Sequence, residues 1–329
     1  GRLVTTIAGQ APRLAVSEAN EPIRMGFGRG LLRAGERDER IVALCADLVD
    51  STQMGLFAKR FADRFFEVGV AEQNLVTVAS GMAAAGRIPF TSSYAAFSPG
   101  RNWEQIKTTA ALNDRPVKIV GSHAGLNVGP DGATHQMLED LALMRVIPNM
   151  VVVAPADSVE AEKATLALAA DPRPGYLRLA RDATPVFTAP DDLFELGRAR
   201  VLRQGRDITL VGTGTMTWHL LQAADEPAEA GVDAEVLHFA TLKPFDDQTL
   251  AASAAKTGLV VTAEEAQIIG GLGGAVAESL SEHLPTRLLR LGVHDRFGES
   301  GKPQEVLEHF GLTGPQLVEP ILAAHRSRS

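Results

Sequence analysis

The sequence has a single cysteine, no long basic block and no long apolar run, and each absence excludes a class of protein. Cys45 is alone among 329 residues, so an internal disulfide and a cysteine-rich metal site are both excluded. It lies in an apolar run and is expected to be a small buried side chain. A net charge of −8 and a pI near 5.6 give no support for nucleic-acid binding. No apolar segment is long enough to span a bilayer and no N-terminal signal segment is visible, so we expect a cytoplasmic protein.

Length and composition are those of a globular protein with two domains. Hydrophobic residues make up 45% of the chain and charged residues 22%, which is ordinary for a packed core. A chain of this length exceeds what one compact core usually holds. Near residues 185–198, prolines and paired aspartates interrupt any regular pattern. We therefore predict a first domain at residues 1–186, a linker at 187–198 and a second domain at 199–329.

Short apolar runs alternate with segments of helical period, the pattern of parallel strands joined by helices. In the first domain, strands are predicted at residues 41–46, 65–68, 88–92, 117–121, 150–153 and 176–179. Helices are predicted between them at residues 22–34, 72–85, 103–112, 138–146 and 159–169. In the second domain, strands are predicted at residues 208–211, 234–239, 258–262 and 287–291. The sequence thus predicts an α/β fold with two mostly parallel sheets flanked by helices, six strands completing the first sheet.

Glu72 and two aromatic residues are the first candidates for a site. Glu72 follows a strand and opens a helix, where a carboxylate can simply stabilise the free amides of the first turn. Tyr94 and Phe97 follow the next strand and could place aromatic faces at the same carboxyl edge, where open α/β sheets bind ligands. A place in the core is the commoner explanation for such a pair, and both explanations stay open at this point.

A glycine-rich loop between two histidines is the next candidate. His123 ends a strand, and the loop that follows contains Asp131 and ends with His135. Glycines let backbone approach a ligand closely, and they also make ordinary turns, so a site and a plain surface loop are both compatible with the pattern. Metal binding is disfavoured because no third ligand has suitable spacing.

Taken together, these segments resemble the pyrimidine-binding domain of transketolases, enzymes that use thiamine diphosphate. The resemblance lies in residues 69–74 (GVAEQN), the Tyr94/Phe97 pair and residues 129–136 (GPDGATHQ). It continues through residues 176–181 and into residues 262–274, which are similar to the C-terminal domain of the same family. The glycine run within that last segment lacks the downstream acid of a nucleotide-binding motif, so we expect it to be the turn that begins a helix.

The resemblance implies the roles of the cofactor-binding and catalytic residues. Glu72 matches the glutamate that hydrogen-bonds the ring nitrogen of the aminopyrimidine and so activates the cofactor. Tyr94 and Phe97 match positions that stack on or enclose the pyrimidine. The implied reaction is the transfer of two-carbon ketol units between phosphorylated sugars, in which His123 and His135 bind the sugar and move protons at its carbonyl group.

The resemblance also implies a substrate site. Asp131 matches a residue that contacts a substrate hydroxyl, while Arg24, Ser51 and Arg181 match residues that hold the terminal phosphate. Arginine forks suit such a dianion better than lysine does. From position alone, either arginine could equally lie on a solvated surface. Asp47 is expected to support the structure of the site or a subunit contact.

One motif of these enzymes is missing from the sequence. Thiamine diphosphate enzymes hold their metal and diphosphate with a Gly-Asp-Gly segment and a downstream asparagine, and no such pair occurs here. The resemblance therefore implies a split transketolase, in which a separate N-terminal subunit binds the diphosphate and supplies the ligands of Mg²⁺ or Ca²⁺. Neither chain is expected to catalyse alone, and an α2β2 heterotetramer is the expected assembly.

Departures from the family pattern leave alternatives open. The residues after His123 differ from the common His-Asp start of that loop, and Ala133 replaces a frequent proline, so donor and acceptor preferences can differ. A deoxyxylulose-phosphate-synthase-like subunit has similar motifs. The β subunit of a 2-oxoacid dehydrogenase is naturally separate, but the paired arginines and loop histidines argue against it. The same retained residues argue against a non-catalytic paralogue that only binds or regulates a partner.

Overall fold

The computed structural model describes residues 19–229 and 231–328. The first 18 residues of the predicted first domain lie outside the described residues. The strands, in chain order, are β1 (Asn20–Pro22), β2 (Ile41–Cys45), β3 (Phe65–Glu67), β4 (Ile88–Tyr94), β5 (Lys118–Ser122), β6 (Val151–Val153), β7 (Gly175–Arg178), β8 (Ala183–Pro185), β9 (Arg200–Arg203), β10 (Ile208–Gly212), β11 (Ala234–His238), β12 (Thr241–Lys243), β13 (Leu259–Gln267) and β14 (Arg287–Val293).

Helices connect these strands in both halves of the chain. They are α1 (Ile23–Arg37), α2 (Gly55–Arg60), α3 (Glu72–Ala84), α4 (Trp103–Gln105), α5 (Asp140–Arg145), α6 (Ser158–Ala170), α7 (Met216–Ala223), α8 (Asp225–Glu229), α9 (Asp247–Thr257), α10 (Leu272–His283), α11 (Pro303–His309) and α12 (Gly314–Arg326). The described residues also form two 3-10 segments, Ala62–Arg64 and Leu126–Thr134, and one π-helix, Ile106–Ala111. Each helix predicted in the first domain overlaps one of these, but the helix predicted at residues 103–112 is α4 followed by the π-helix.

The first sheet has seven strands in the order β12-β6-β7-β5-β4-β2-β3. The six predicted strands are present and run parallel, as crossover helices require. The expectation that they complete the sheet is wrong, because β12 pairs antiparallel with β6 at the edge. That strand comes from the chain beyond the predicted linker, and three residues give no periodic pattern from which to predict it.

The second sheet has five strands in the order β14-β13-β10-β11-β9. The four predicted strands, β10, β11, β13 and β14, are confirmed and pair in parallel, while the unpredicted β9 closes one edge antiparallel to β11. Strand β13 extends five residues beyond its predicted end at residue 262 and reaches Gln267. The extension carries two buried glutamates, Glu264 and Glu265, toward the first domain. A further antiparallel pair joins β1 to β8.

Two smaller expectations are confirmed. Cys45 is fully buried, and burial raises the pKa of its thiol to about 11. The glycine run at residues 270–274 begins a helix, since α10 starts at Leu272. The carboxylate of Glu264 accepts hydrogen bonds from the free amides of Leu272 and Gly273 at 2.7 and 2.8 Å, which satisfies the start of that helix.

Among the residues that the structure describes, no helix combines the length and the apolarity needed to cross a membrane.

Candidate active site

Strand polarity gathers the predicted site residues at one edge of the first sheet. Because strands β2 to β7 are parallel, their carboxyl ends meet at the same edge. Ser51 follows β2, Tyr94 ends β4, His123 follows β5 and Arg181 follows β7, while Glu72 opens the helix after β3. Residues far apart in sequence therefore lie along one face of the molecule.

Glu72 is the buried acid of this edge. It is the first residue of α3 and only 2% exposed, and its carboxylate Oε2 accepts a hydrogen bond from the Arg101 guanidinium at 2.8 Å. Its backbone carbonyl accepts another from the Asn102 amide at 2.8 Å. The side chain therefore makes a specific ion pair, which a simple role in stabilising the first helical turn would not require.

Arg101 is a site residue that the sequence did not reveal. Its side chain is 51% exposed, and its guanidinium carbon lies 4.9 Å from the centroid of the Phe97 ring. It thus bridges the acid and one of the predicted aromatic residues. No spacing or motif links Arg101 to Glu72 along the chain, since the contact depends on the turn between β4 and α4.

The predicted aromatic residues and both histidines form one cluster. The Tyr94 ring stacks on the His123 imidazole with centroids 3.9 Å apart, and it lies 6.2 Å from the Phe97 ring in a stacked arrangement. The His135 ring meets the edge of Phe97 with centroids 5.5 Å apart. Tyr94 and Phe97 are only partly buried, so they are not simply core residues.

His123 has a perturbed environment. Its backbone adopts φ of 57°, an uncommon conformation for a residue with a side chain. Its Nδ1 lies 2.9 Å from the Ser122 hydroxyl oxygen. Burial, followed by the positive charges of Arg24 and Arg181, lowers the pKa of His123 to about 3. The imidazole is therefore neutral at pH 7 and can both donate and accept a hydrogen bond.

The glycine-rich loop presents His135 and Asp131. Residues 126–134 form 3-10 turns interrupted at Gly129 and Gly132, both with φ of 73°. His135 follows directly, with its Nδ1 2.8 Å from the Thr134 hydroxyl oxygen. Asp131 is exposed at the outer side of this loop. The structure brings His135 into the aromatic cluster and leaves Asp131 free to meet a ligand.

Arg24 and Arg181 lie together beside His123. The Arg24 guanidinium donates to the Arg181 carbonyl oxygen, and the Arg181 guanidinium donates to the Val128 carbonyl oxygen at 3.2 Å. Burial, followed by the charge of Arg181, lowers the pKa of Arg24. Within the described part of the chain, the buried Nε of Arg24 has no hydrogen-bond partner. Two cations side by side with an unused donor suit an anionic ligand.

Ser51 and Asp47 are less closely tied to the cluster. Ser51 is half-buried in the turn after β2, and no hydrogen bond among the described residues joins its side chain to Arg24 or Arg181. Asp47 adopts φ of 62°, and its backbone amide donates to the Glu67 carboxylate at 2.7 Å. Asp47 therefore shapes the turn that presents Ser51 at this edge.

In residues 19–229 and 231–328, no group of three or more histidine, cysteine, aspartate or glutamate side chains is arranged to hold a metal ion.

Two family models match the chain, one to each domain. The first is that of the transketolase pyrimidine binding domain, over residues 21–186, and the second is that of the transketolase C-terminal domain, over residues 197–317.

Among similar proteins, a putative transketolase C-terminal section of Methanocaldococcus jannaschii is 43% identical over 303 residues, which cover 91% of this chain and 95% of that protein. A 6-deoxy-6-sulfo-D-fructose transketolase subunit of a Clostridium species is 44% identical over 295 residues, covering 90% and 91%. A 1-deoxy-D-xylulose-5-phosphate synthase of Syntrophotalea carbinolica is 38% identical, and the match covers 90% of this chain but 47% of that enzyme.

Among solved structures, a split-gene transketolase in an inactive beta4 tetramer superposes with a TM-score of 0.88 at 44% identity, covering 94% of this chain and 99% of that chain. The transketolase of Campylobacter jejuni gives a TM-score of 0.80 at 25% identity, covering 92% of this chain and 47% of that one.

Proposed function

The chain belongs to the transketolase family, and from that premise we propose that it is the C-terminal subunit of a split, thiamine-diphosphate-dependent transketolase. The proposed reaction is the transfer of two-carbon ketol units between phosphorylated sugars. One observation carries the proposal. The transketolase C-terminal section and the split-gene transketolase match this chain over 95% and 99% of their own lengths, whereas the Campylobacter jejuni transketolase matches over 47% of its length.

The pyrimidine end of thiamine diphosphate fits the residues present. A planar ring can lie on the aromatic faces of Tyr94 and Phe97, with the Glu72 carboxylate directed at a ring nitrogen. The cofactor supplies the nucleophilic carbon on which ketol transfer depends. The proposed part of Glu72 is to share a proton with the ring through a hydrogen bond to its nitrogen. Arg101 is proposed to release Glu72 Oε2 when the cofactor binds.

The two histidines are proposed to act on the sugar. His123 is neutral and stacked on Tyr94, so it can hydrogen-bond the carbonyl group or hydroxyl groups of a ketose without carrying a charge into the site. His135 lies across Phe97 from it and can take or return a proton at the same group. Asp131, exposed on the loop before His135, is proposed to accept a hydrogen bond from a substrate hydroxyl.

The terminal phosphate of the sugar is proposed to bind at the arginine pair. The Arg24 guanidinium donates to the Arg181 backbone carbonyl, and the buried Nε of Arg24 has no hydrogen-bond partner among the described residues. Ser51 is proposed to complete this site from the turn after β2. A bound dianion would also neutralise the two adjacent guanidinium groups.

A separate subunit is proposed to bind the diphosphate and to supply the ligands of Mg²⁺ or Ca²⁺. Support comes from relatives named as a transketolase C-terminal section and a transketolase subunit, which are matched over 95% and 91% of their own lengths. The split-gene relative whose beta4 tetramer is inactive supports a need for that partner. The proposed assembly is an α2β2 heterotetramer with two sites. The cytoplasmic location stays a prediction.

A second candidate function rests on one observation. Deoxyxylulose-phosphate synthases match this chain at 36 to 38% identity over about nine-tenths of its length. Such an activity would take its two-carbon unit from a 2-oxoacid with loss of carbon dioxide, whereas ketol transfer takes it from a ketose.

Reconstitution of the enzyme from this chain and its partner subunit distinguishes ketol transfer from the synthase-like activity. The purified chain is mixed with its partner subunit, thiamine diphosphate and Mg²⁺, and offered a panel of ketose phosphates, aldose phosphates and 2-oxoacids. We expect ketol transfer from a ketose phosphate to an aldose phosphate, and we expect Glu72→Gln to lower kcat/KM by about 100-fold or more while the fold is retained.

Consumption of a 2-oxoacid with release of carbon dioxide would favour the second candidate. An inactive pair across the whole panel would leave the non-catalytic paralogue as the better explanation. Normal activity of the Glu72→Gln pair would remove the central assignment.

A further inference from the structure

We infer that the second domain positions the substrate side of the site, acting through Asn127 and the glycine-rich loop. The inference assigns to Asn127 and Glu265 a positioning role for Arg181 and His135. It rests on the proposed function for the identity of the ligand, but the contacts that support it are independent of that function.

A chain of hydrogen bonds runs from the second domain to Arg181. Glu265, on β13, is 2% exposed, and its Oε1 accepts from the Asn127 backbone amide at 2.5 Å. Its Oε2 accepts from the Thr215 hydroxyl at 3.0 Å, which fixes the carboxylate within its own domain. The Asn127 side-chain oxygen accepts in turn from the backbone amides of Arg181 and Asp182 at 2.9 and 2.7 Å. Both segments that flank the proposed phosphate site are thus tied to one carboxylate.

A second link holds the other end of the loop. Gln136, directly after His135, is 4% exposed, and its amide nitrogen lies 3.2 Å from the Leu126 carbonyl oxygen and 2.9 Å from the Glu299 carbonyl oxygen. The first contact closes the loop on itself and the second joins it to the second domain. Gly298 makes room for this side chain, since a Cβ there would lie 1.8 Å from the Gln136 side-chain oxygen.

Close packing leaves the loop little freedom against the second domain. At Gly132, where φ is 73°, a Cβ would lie 2.3 Å from the Ser300 hydroxyl oxygen. At Gly129, also with φ of 73°, it would meet Pro303 at 2.9 Å. At Gly125 it would lie 2.6 Å from the Glu265 carboxylate. The loop consists of 3-10 turns broken at Gly129 and Gly132, so its conformation depends on these contacts with another domain.

Misplacement of such a loop lowers binding without removing any group that touches the ligand. Arg181 and His135 hold their positions through neighbouring backbone, and small displacements weaken oriented contacts strongly. The Asn127 side chain does not lie in the aromatic cluster and holds Arg181 only through the backbone. Its loss is therefore expected to affect phosphate binding more than the steps that follow.

The kinetic test uses Asn127→Ala and Glu265→Gln in the chain paired with its partner. Glu278→Gln is the matched control, because Glu278 also joins the domains, through an ion pair with Arg145 at 2.6 Å, but does not reach the loop. We expect Asn127→Ala to raise KM for phosphorylated sugars by about tenfold and to change kcat, and KM for an unphosphorylated donor, by about twofold or less. Glu265→Gln, which keeps one acceptor oxygen, is expected to give a smaller shift in the same direction, and Glu278→Gln none.

A structural readout on the chain alone separates this inference from the proposed function. Amide hydrogen exchange at residues 125–136 and 179–183 should become faster in Asn127→Ala and in Glu265→Gln, and stay unchanged in Glu278→Gln. If Asn127→Ala does not fold, Glu265→Gln carries the test. Unchanged exchange in both segments overturns the inference whatever the enzyme assay shows. Exchange could become faster in the two variants while the wild-type pair shows no transketolase activity. That result would overturn the proposed function and leave the positioning role standing.

Discussion

At the residue scale, the pair of Glu72 and Arg101 joins stability to function. The Glu72 side chain is only 3% exposed, so its charge needs a partner. That partner is the guanidinium of Arg101, whose half-exposed side chain can move into solvent. The same carboxylate is the one proposed to meet the cofactor. Arg101 therefore holds Glu72 in the chain alone, and it is proposed to give up this contact when the cofactor binds.

Arg101→Gln should lower the free energy of unfolding of the chain alone by about 1 kcal/mol, a figure already reduced for the solvent exposure of Arg101. In a Glu72→Gln background the same change should have almost no effect, because no buried charge is then left without a partner. Chemical denaturation of the four proteins measures the coupling. Equal effects of Arg101→Gln in both backgrounds would show that the two side chains act independently.

His123 should make the chain sensitive to acid. Its pKa in the folded protein is lowered to about 3, while an unfolded histidine titrates near 6.5, so the unfolded state binds the proton more readily between these values. The contribution of the neutral His123 side chain to the free energy of unfolding is fully present above pH 6.5. It decreases as the pH falls below that value, because the unfolded state then takes up a proton that the folded state does not. Relative to a His123→Asn variant, the wild-type chain should lose roughly 1–2 kcal/mol of stability between pH 7 and pH 5. Parallel pH profiles for the two proteins would contradict this account.

The sequence predicted which residues would gather at this edge of the sheet, but it did not predict the contacts between them. The segments around Glu72, Tyr94 and His135 carry local motifs, and the structure places the two aromatics and the two histidines in one cluster. Arg101 and Asn127 were not predicted, because each acts through a partner distant in sequence and has no motif of its own. Such residues can be found only once the fold has brought the partners together.

At the scale of elements, the approach of α1 to α6 sets the position of Arg24. Gly26 lies on the α1 face that meets α6, and a Cβ there would lie 1.8 Å from the Ser158 carbonyl oxygen. Gly30, one turn later, faces Thr165 in the same way, with a Cβ at 2.7 Å from the threonine Cβ. The two helices therefore pack with their backbones unusually close, and Arg24 at the start of α1 is carried toward Arg181.

Gly26→Ala should force these helices apart and lower the free energy of unfolding by about 2–3 kcal/mol. Gly81→Ala is the matched control, since Gly81 is also inside a helix but has no atom within 4 Å of the added Cβ. That change should stabilise the chain by roughly 0.5–1 kcal/mol through helix propensity. Thermal or chemical denaturation measures both. Similar destabilisation by the two substitutions would rule out close packing as the cause.

Elements that follow the alternation of parallel strand and helix were predictable, and strands outside that alternation were not. The six parallel strands of the first sheet and helices α1, α3 and α6 follow from apolar period and turn residues. The strands that were not predicted, β1, β8, β9 and β12, all pair antiparallel and lie outside that alternation. The π-helix after α4 also departs from the expected period, because the same apolar positions are compatible with an α-helix.

At the scale of the whole molecule, the two domains are joined by more than their linker. Strand β12, beyond the linker, pairs with β6 of the first sheet. The Glu160 carboxylate of α6 lies 2.7 Å from the His238 imidazole at the end of β11, and both side chains are almost fully buried. Together with the contacts of Glu265 and Glu299 to the glycine-rich loop, these links make the second domain part of the framework of the site.

The residues proposed to meet the cofactor lie along an open edge of the first sheet, and they account for one end of thiamine diphosphate only. Glu72 and the aromatic residues suit the pyrimidine, and the arginine pair suits the sugar phosphate. The diphosphate and its metal are proposed to be held by a second subunit. A site divided in this way should bind its cofactor tightly only when both halves are present.

Isothermal titration calorimetry with thiamine diphosphate in the presence of Mg²⁺ tests that claim most directly. The cofactor is titrated into this chain alone, into the partner subunit alone and into an equimolar mixture of the two. We predict saturable binding by the mixture and at least about 100-fold weaker binding by either subunit alone, a difference of roughly 2.7 kcal/mol. Binding to this chain alone with the affinity of the mixture would contradict a divided site.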